Sequence, residues 1–316
     1  MKKTGFLYDK RFLLHDTGPY HPETAARLEA IMQGIKSGGL LEKLISVSAK
    51  PADLKWIETI HEPDYIQKFK EVCLSGCREF ESADNQICYD TYEAARLAAG
   101  GVLEAVDMIM EGKINNAFCA VRPPGHHAES GQSMGFCYFN NVAIAARFLQ
   151  CKWDIKKILI IDFDVHHGNG TQHLFEEDPF VYYFSTHQHP SFAFPGTGRE
   201  FEKGRLAGLG FTKNCPLLPG QGDKELKKIY KTELFPLFAD FKPEFVFLST
   251  GFDAHIDDVM SDLKFSSDCF EWIIKEIIKQ ANQYANGRII SVLEGGYSLE
   301  RLPELAKTHV ASLLDG

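Results

Sequence analysis

The sequence contains no apolar run of the length that crosses a membrane, which requires roughly 18 to 20 apolar residues in a row. Residues 1–9 already carry three lysine and aspartate side chains, so no apolar segment of a secretory signal forms there. Together the two absences predict a protein that is neither embedded in a membrane nor exported. We therefore expect it in the cytoplasm.

Basic residues are in deficit. The 316 residues include 34 Lys and Arg against 43 Asp and Glu, which gives a formal net charge of -9. Binding to nucleic acid needs clustered Lys and Arg, so no direct nucleic-acid partner is expected. Hydrophobic residues make up 44% of the chain and charged residues 24%, which is typical of a folded globular protein and not of a disordered one.

Linkers, repeats and low-complexity segments are also missing. The 26 glycines and 14 prolines are scattered, so one domain covering residues 1–316 is predicted. The eight cysteines lie mostly in apolar segments, as reduced buried thiols do. Cys73 and Cys77 have helical spacing, but no second Cys/His pair completes a metal site.

Apolar residues recur at helical spacing in the segments 22–43, 92–110 and 268–284, and the first of these is expected to break around Gly38-Gly39. Continuous apolar runs rich in β-branched and aromatic residues occupy 117–121, 157–162, 180–184, 245–248 and 288–293. Such runs, alternating with helices, are typical of a parallel sheet that is buried on both faces. The sequence therefore predicts an α/β fold with a mainly parallel sheet flanked by helices.

Each apolar run is followed by a polar loop that carries glycine or histidine. The loops are Arg-Pro-Pro-Gly-His-His at 122–127, Phe-Asp-Val-His-His-Gly-Asn-Gly at 163–170, Ser-Thr-His at 185–187, Ser-Thr-Gly-Phe-Asp at 249–253 and Glu-Gly-Gly-Tyr at 294–297. Ligands of open parallel sheets bind at the carboxyl ends of the strands. We therefore expect these loops to meet at one site.

Two of these loops carry candidate metal ligands. Asp162, Asp164 and His166 alternate along an extended segment, which predicts side chains on one side; caps and turn formers are the alternative for the aspartates. Asp253 ends another apolar run and can supply a ligand from a neighbouring strand. Asp164, His166 and Asp253 leave positions open for water and substrate, as catalytic zinc sites do. The types of these ligands are also compatible with Fe(II) or Mn(II) in place of zinc.

Two further loops carry candidate catalytic groups. His126 and His127 follow a Pro-Pro-Gly turn, where the prolines restrict the backbone and the glycine permits a close approach to a ligand. A surface histidine pair is the alternative. Tyr297 follows two glycines at a strand end, which suits a hydroxyl aimed at a developing oxyanion rather than a tyrosine of the core.

Six motifs in order resemble the zinc-dependent histone deacetylase family. Besides the loops above they include Gly-Phe-Cys-Tyr-Phe-Asn-Asn at 135–141, the extension of the second loop to Thr-Gln at 171–172, and Phe-Pro-Gly-Thr-Gly at 194–198. The resemblance runs from residue 21 to 297. Asn169 and Gly-Phe-Asp-Ala at 251–254 are similar to the class II branch and its bacterial relatives, which include acetylpolyamine amidohydrolases.

This resemblance implies a single-domain arginase/deacetylase fold with its active site at the carboxyl ends of the strands. It implies hydrolysis of N-acetylated amines to acetate, with acetyl-lysine in peptides or proteins as the first expectation. Zinc, one ion per chain, would bind Asp164, His166 and Asp253, and Tyr297 would polarise the acetyl carbonyl. An acetylpolyamine or another small acetylated amine is the alternative substrate.

The same resemblance pairs His126 with Asp162 and His127 with Asn169. A histidine bonded to a carboxylate favours its protonated form, whereas one that faces a neutral amide stays neutral near its unperturbed pKa of roughly 6.5. We therefore expect His127 to be the general base and later the acid. His126 is expected to act as an electrostatic stabiliser.

By the same resemblance, Gly135, Phe136 and Phe194 form a tunnel for the acyl-lysine chain, with core aromatics as the alternative for the two rings. Met260 takes the rim position where polyamine specialists carry glutamate. The absence of that glutamate makes a polyamine substrate less favoured than acetyl-lysine. Arg27 matches an arginine near the acetate exit, although a surface salt bridge is also compatible with its position.

A potassium ion is also implied, on Asp162, Asp164, His166, Ser185 and Thr186. A non-catalytic acyl-lysine binding module ranks lower than an enzyme, because no ligand, histidine or tyrosine of the motif series is missing. The acidic charge would favour a cationic substrate. The oligomeric state stays open.

Overall fold

The computed structural model describes residues 2–316. Its strands, in chain order, are β1 (Thr4–Leu7), β2 (Ile45–Val47), β3 (Glu79–Phe80), β4 (Ser82–Gln86), β5 (Asn116–Cys119), β6 (Ile158–Asp162), β7 (Val181–Gln188), β8 (Thr212–Leu217), β9 (Phe245–Thr250) and β10 (Ile289–Leu293).

Eight strands form one sheet in the order β2-β1-β5-β10-β9-β6-β7-β8, and every pair in it is parallel. Strands β3 and β4 form a separate antiparallel pair. The five predicted runs are β5, β6, β7, β9 and β10, which confirms the parallel α/β sheet. Strands β5, β6, β9 and β10 are buried along their whole length, as continuous apolar runs require.

The α-helices are α1 (Ala26–Ser37), α2 (Leu54–Ile57), α3 (Pro63–Leu74), α4 (Thr91–Met110), α5 (Asn141–Trp153), α6 (Asn169–Phe175), α7 (Asp223–Ile229), α8 (Phe235–Phe241), α9 (Ser267–Tyr284) and α10 (Leu302–Asp315). A π-helical turn (Tyr230–Leu234) joins α7 to α8, and short 3₁₀ turns cover Lys10–Leu14, Leu41–Lys43 and Leu206–Gly208.

The predicted helical segments correspond to α1, α4 and α9. Helix α1 ends at Ser37 with Gly38 as its C-cap, which confirms the break expected at Gly38-Gly39, and residues 41–43 form a separate 3₁₀ turn. Helix α10 packs on α1 and α9, and α4 packs on α5; α10 and α4 both contact the sheet. The apolar faces of these helices cover the sheet and bury its core.

Strand β7 continues beyond its predicted end. Residues 185–187 were expected in a loop, but β8 pairs with β7 from Tyr183 opposite Thr212 to Gln188 opposite Leu217. The hydrogen bonds of that pairing extend β7 over Ser185 and Thr186, which are buried although they are polar. Strand β8 was not predicted, since lysine, asparagine and proline interrupt its apolar residues.

No helix within residues 2–316 is both long and apolar enough to cross a membrane. The eight cysteines are free thiols; Cys73 is buried and Cys77 is exposed.

Candidate active site

The loops at the carboxyl ends of the central strands meet around a cavity of about 210 Å³. Strands β5, β10, β9 and β6 are neighbours in the sheet, so the loops that follow them share one edge. The cavity is lined by Asp84, Pro124, His126, His127, Gly135, Phe136, Cys137, His166, Phe194, Met260, Gly295 and Tyr297.

Asp164, His166 and Asp253 form a cluster whose ligand atoms all lie within 4.8 Å of one another. His166 Nδ1 lies 3.1 Å from Asp164 Oδ1 and 3.2 Å from Asp253 Oδ2. The backbone N–H groups of Val165 and Gly295 donate to Asp253 Oδ1 and Asp164 Oδ2. A Cβ atom at Gly295 would lie 2.1 Å from Asp253 Oδ2, so only glycine permits this approach.

The cluster fits a divalent cation. Asp253 Oδ2 is buried and has no hydrogen-bond donor within the described residues, although it faces the other two ligands. Two buried carboxylates at this separation need a positive charge between them. Burial and the charge of Asp164 raise the pKa of Asp253. One imidazole and two carboxylates are a ligand set that zinc accepts.

Asp162 does not join this cluster, contrary to the expectation that it points the same way as Asp164 and His166. Strand β6 ends at Asp162, so the alternation of an extended strand does not continue to the following residues. Asp162 Oδ2 instead lies 3.1 Å from His126 Nδ1 and accepts from the Tyr183 hydroxyl.

His126 is a buried histidine surrounded by carboxylates. Burial alone would lower the pKa of His126, but Asp162, Asp164 and Glu294 outweigh burial and raise that pKa to about 10. Its imidazole therefore carries a proton on both nitrogens at neutral pH. This agrees with the expected protonated form.

His127 faces an amide instead of a carboxylate. Its Nδ1 lies 2.7 Å from Asn169 Oδ1, while Asn169 Nδ2 donates to Glu129 Oε1 at 2.5 Å. Because the amide oxygen faces His127, Nδ1 carries the proton and Nε2 holds a free lone pair. Burial first, and then the charges on His126 and His166, lower the pKa of His127. The neutral form agrees with the expectation, but the expected ordinary pKa was wrong because burial was not counted.

The Tyr297 turn is held from two sides. The Arg27 guanidinium lies 4.8 Å from the centre of the Tyr297 ring, and its Nε donates to the Gly296 carbonyl at 2.7 Å. Asp258 Oδ2 accepts from the backbone N–H groups of Tyr297 and Ser298, at 2.6 and 3.0 Å. Asp258 Oδ1 accepts from the N–H of Met260 at 3.0 Å.

Arg27 is buried, so the alternative of a surface salt bridge is wrong. Burial raises the pKa of Tyr297 well above its ordinary value, and the neighbouring Arg27 only partly opposes this. The Tyr297 hydroxyl therefore keeps its proton and is available as a donor.

Aromatic rings and a glycine shape the entrance. Phe136 and Phe194 both line the cavity, and the Phe194 ring lies 5.0 Å from that of His127 in an edge-to-face arrangement. A Cβ atom at Gly135 would lie 2.4 Å from His127 Cδ2 and 2.9 Å from Phe194 Cε1, so the backbone passes directly beneath both rings. Met260 lines the same cavity and is half-buried.

Ser185 and Thr186 lie in β7 next to the end of β6, with Ser185 in register with Asp162. Ser185 Oγ lies 2.7 Å from His187 Nδ1, and Thr186 Oγ1 is buried with no hydrogen-bond partner in the described chain. The strand pairing therefore brings this part of the expected potassium set together, and potassium binding itself stays a prediction.

Sequence reasoning missed the roles of Glu294 and Asp258. Glu294 Oε2 accepts from the backbone N–H groups of Gly125 and His126 at 2.7 and 3.1 Å, which fixes the turn before the histidine pair. Burial raises the pKa of Glu294 to about 7. The available signal for Glu294 was a charged residue between a fully buried, mostly apolar strand and Gly-Gly. Asp258 is marked in the sequence only by its acidic neighbour Asp257.

Comparisons with known proteins agree with this geometry. The profile of the family described as "Histone deacetylase domain" matches residues 21–313. "Probable deacetylase" of Archaeoglobus fulgidus is 36% identical over 94% of this chain and 82% of its own length. "Polyamine deacetylase HDAC10" of Homo sapiens is 37% identical over 96% of this chain, which spans 46% of the human protein.

Among solved structures, "Crystal Structure of HDA15 HD domain" superposes with a TM-score of 0.93 at 32% identity, covering 99% of this chain and 89% of that one. The superposition confirms the predicted arginase/deacetylase fold. The chain therefore belongs to the histone deacetylase family, whose members hydrolyse acetylated amides and in general depend on zinc.

Proposed function

We propose that this chain binds one zinc ion and hydrolyses the acetyl amide of acetyl-lysine in peptides or proteins, with acetate and free lysine as products. The observation that carries the proposal is the cluster of Asp164, His166 and Asp253 beside a narrow cavity that His127 and Tyr297 also line. The cavity suits an acetylated alkyl chain, because aromatic rings flank its entrance and polar groups meet at its end.

Asp164, His166 and Asp253 would hold the zinc ion, which when bound supplies Lewis-acid polarisation of the acetyl carbonyl and of a water molecule. His127 Nε2, which has a free lone pair, accepts the proton of the attacking water. The same nitrogen then donates that proton to the leaving amine, which departs poorly unless it is protonated. Tyr297 donates its hydroxyl proton in a hydrogen bond to the oxygen where negative charge develops.

His126 has a different role in this proposal. Its Nδ1 proton is committed to Asp162, and its Nε2 lies 3.9 Å from Asp164 Oδ1. The positive charge on His126 balances the buried carboxylates around it and adds positive potential where the oxyanion forms. It stabilises charge and does not take up a proton.

Replacing Tyr297 by phenylalanine is expected to lower kcat by about 10²-fold or more, with little change in KM. The substitution removes one hydrogen-bond donor and keeps the ring that Arg27 packs against. Steady-state kinetics with an acetyl-lysine peptide measure the effect. Tyr284→Phe is the matched control, because Tyr284 lies at the end of α9 and does not line the cavity. Unchanged kcat in Tyr297→Phe would remove this hydroxyl from the mechanism.

The preference for acetyl-lysine over a polyamine is inferred from the residues at the entrance of the cavity. Met260 is uncharged and lines the cavity, whereas a polyamine substrate, with a second ammonium group beyond the acetylated nitrogen, favours a carboxylate at the entrance. The only carboxylate lining the cavity in the described chain is Asp84. An acetylpolyamine stays the alternative substrate, favoured by the name of the human relative.

Changing Met260 to glutamate is expected to raise the ratio of kcat/KM for acetylspermidine to that for an acetyl-lysine peptide by about fivefold, the equivalent of about 1 kcal/mol from a partly exposed ion pair. Met260→Gln controls for side-chain length and polarity without charge. The ratio is measured by acetate release. An unchanged ratio in Met260→Glu would show that residue 260 does not contact the distal amine.

The test of the function is acetate release by the zinc-loaded protein from an acetyl-lysine peptide, acetylspermidine and acetylputrescine. The expected result is the highest kcat/KM with the peptide. Preference for a polyamine would select the alternative substrate. Absence of acetate release from every substrate, with zinc bound, would favour a non-catalytic acyl-lysine binding module.

We also propose a potassium ion beneath the zinc site, held by backbone carbonyls of Asp162, Asp164 and His166 with Ser185 and Thr186. Its support is the register of Ser185 with Asp162 and the buried, unpartnered Oγ1 of Thr186. Hard oxygen ligands of this kind suit an alkali cation.

A further inference from the structure

Asn169 holds His127 in the tautomer that the mechanism needs, and the direction of its amide group decides this. Its Oδ1 lies 2.7 Å from His127 Nδ1. If the amide were rotated by half a turn, Nδ2 would face His127 and donate to Nδ1. The proton of a neutral His127 would then sit on Nε2, the nitrogen that must be free to accept a proton. The direction of one amide therefore determines whether His127 is a base.

Glu129 fixes that direction. A carboxylate only accepts hydrogen bonds, so Glu129 Oε1, 2.5 Å from Asn169, requires the amide nitrogen on its own side and sends the amide oxygen towards His127. The other acceptors for Asn169 Nδ2 are the His127 carbonyl at 3.3 Å and the Met134 sulfur at 3.4 Å, both longer contacts. The bond to Glu129 is charge-assisted and is therefore the strongest of the three.

Glu129 is itself held in place. Its backbone N–H donates to the Gln132 carbonyl at 2.9 Å, and its carbonyl lies 2.8 Å from His61 Nδ1. Its Oε1 also lies 2.9 Å from His173 Nδ1. The side chain is 21% exposed, so the carboxylate sits at the edge of the protein behind Asn169 and does not line the cavity.

We propose that Glu129 is a positioning residue for the deacetylation reaction, acting through Asn169 to keep His127 protonated on Nδ1 and free on Nε2. The inference rests on the proposed function, because it assigns a task to His127 in that reaction. An aspartate at position 169 would not need Glu129, since both oxygens of a carboxylate accept and either would face His127 correctly. The dependence on Glu129 is a consequence of the amide at 169.

The direct test is the tautomer of His127 in the zinc-loaded protein. Side-chain ¹H–¹⁵N spectra of ¹⁵N-histidine-labelled protein separate a protonated from an unprotonated ring nitrogen, and His127→Gln assigns the signals. The wild type is expected to show Nδ1 protonated. Glu129→Ala is expected to show a substantial Nε2-protonated fraction, while His309, buried near Phe118 and Phe252, keeps its spectrum as a control of folding. An unchanged His127 tautomer in Glu129→Ala would overturn the proposal.

The second test is a double-mutant cycle between positions 129 and 169. Glu129→Ala is expected to lower kcat about tenfold and leave KM within about twofold, because it changes the base and not substrate contacts. An Asn169→Asp background gives His127 a carboxylate partner that favours its protonated form, so kcat is compared there on the high-pH plateau of the pH profile. At that pH the same substitution is expected to cause no further loss. Glu177→Ala, which removes an exposed charge just after α6, is the control and is expected to leave kcat unchanged.

An equal loss from Glu129→Ala in both backgrounds would show that Glu129 acts in another way, and would also overturn the proposal. The spectra need no turnover. If no acetyl amide is hydrolysed, the proposed function fails, and the tautomer of His127 still decides whether Glu129 orients Asn169.

Discussion

Replacing His127 by alanine is expected to lower kcat by about 10²- to 10⁴-fold, the range for loss of a general acid and base. The corresponding change at His126 is expected to cost at least about tenfold less. His127 has a free lone pair at Nε2, and its lowered pKa keeps it neutral near pH 7. Burial lowers the pKa of His126, but Asp162, Asp164 and Glu294 outweigh burial and raise that pKa to about 10. We therefore expect His126 to enter the reaction already protonated and unable to remove a proton from water.

The measurement is kcat and KM for both alanine variants on an acetyl-lysine peptide, with zinc content and circular dichroism recorded for each. The charge of His126 balances those of Asp162 and Asp164, so its removal could also weaken metal binding. The zinc content of His126→Ala must therefore be measured before its kcat is compared. If His126→Ala were the more damaged of the two while folded and metal-loaded, the roles of the histidines would be reversed.

Asp253→Asn is expected to weaken zinc binding by more than about 100-fold and to reduce turnover to background. Asparagine keeps the size of the side chain and an oxygen for the Val165 N–H, but it removes the charge of the oxygen that faces His166. Metal analysis after dialysis and calorimetric titration with zinc measure the effect. Asp257→Asn, in the same loop and paired with Arg301 at the surface, is the control and is expected to bind zinc normally.

The same variant makes a prediction about stability. Without zinc, Asp164 and Asp253 place two buried carboxylates against one imidazole, an arrangement that costs folding free energy. Metal-free Asp253→Asn should therefore have a Tm equal to or above that of the metal-free wild type. Zinc should raise the Tm of the wild type and not that of the variant. An unchanged zinc affinity in Asp253→Asn would mean that Asp253 is not a ligand.

The centre of the sheet could be predicted because its strands are buried on both faces and so leave continuous apolar runs. The ends of the strands could not. Ser185, Thr186, Ser249 and Thr250 belong to β7 and β9, since pairing with neighbouring strands, and not apolarity, sets where a strand stops. Strands β1 and β2 are too short to show a pattern above that of a loop.

The ligands and the histidine pair could be predicted because they follow strands whose carboxyl ends share one edge. The groups that hold them were harder to find. Asp258 binds the backbone of a residue 39 positions away, and Glu129 binds the side chain of a residue 40 positions away. The spacing of residues within a short stretch of sequence cannot indicate contacts between positions this far apart. Strand alternation wrongly predicted Asp162 beside Asp164 and His166, because the backbone stops being a strand at that residue. The family resemblance, in contrast, paired Asp162 correctly with His126.

The hold of Asp258 on Met260 has a consequence for how such proteins diverge. The Asp258 carboxylate accepts hydrogen bonds from the backbone N–H groups of residue 260, Tyr297 and Ser298. Because these contacts involve only the backbone of residue 260, the backbone geometry of the rim does not depend on which side chain that residue carries. If residue 260 contacts the distal amine as proposed, a substitution there would shift the preference between amines without displacing the tyrosine. Substrate preference would then be separable from bond cleavage, and a lineage could change the first while it conserves the second.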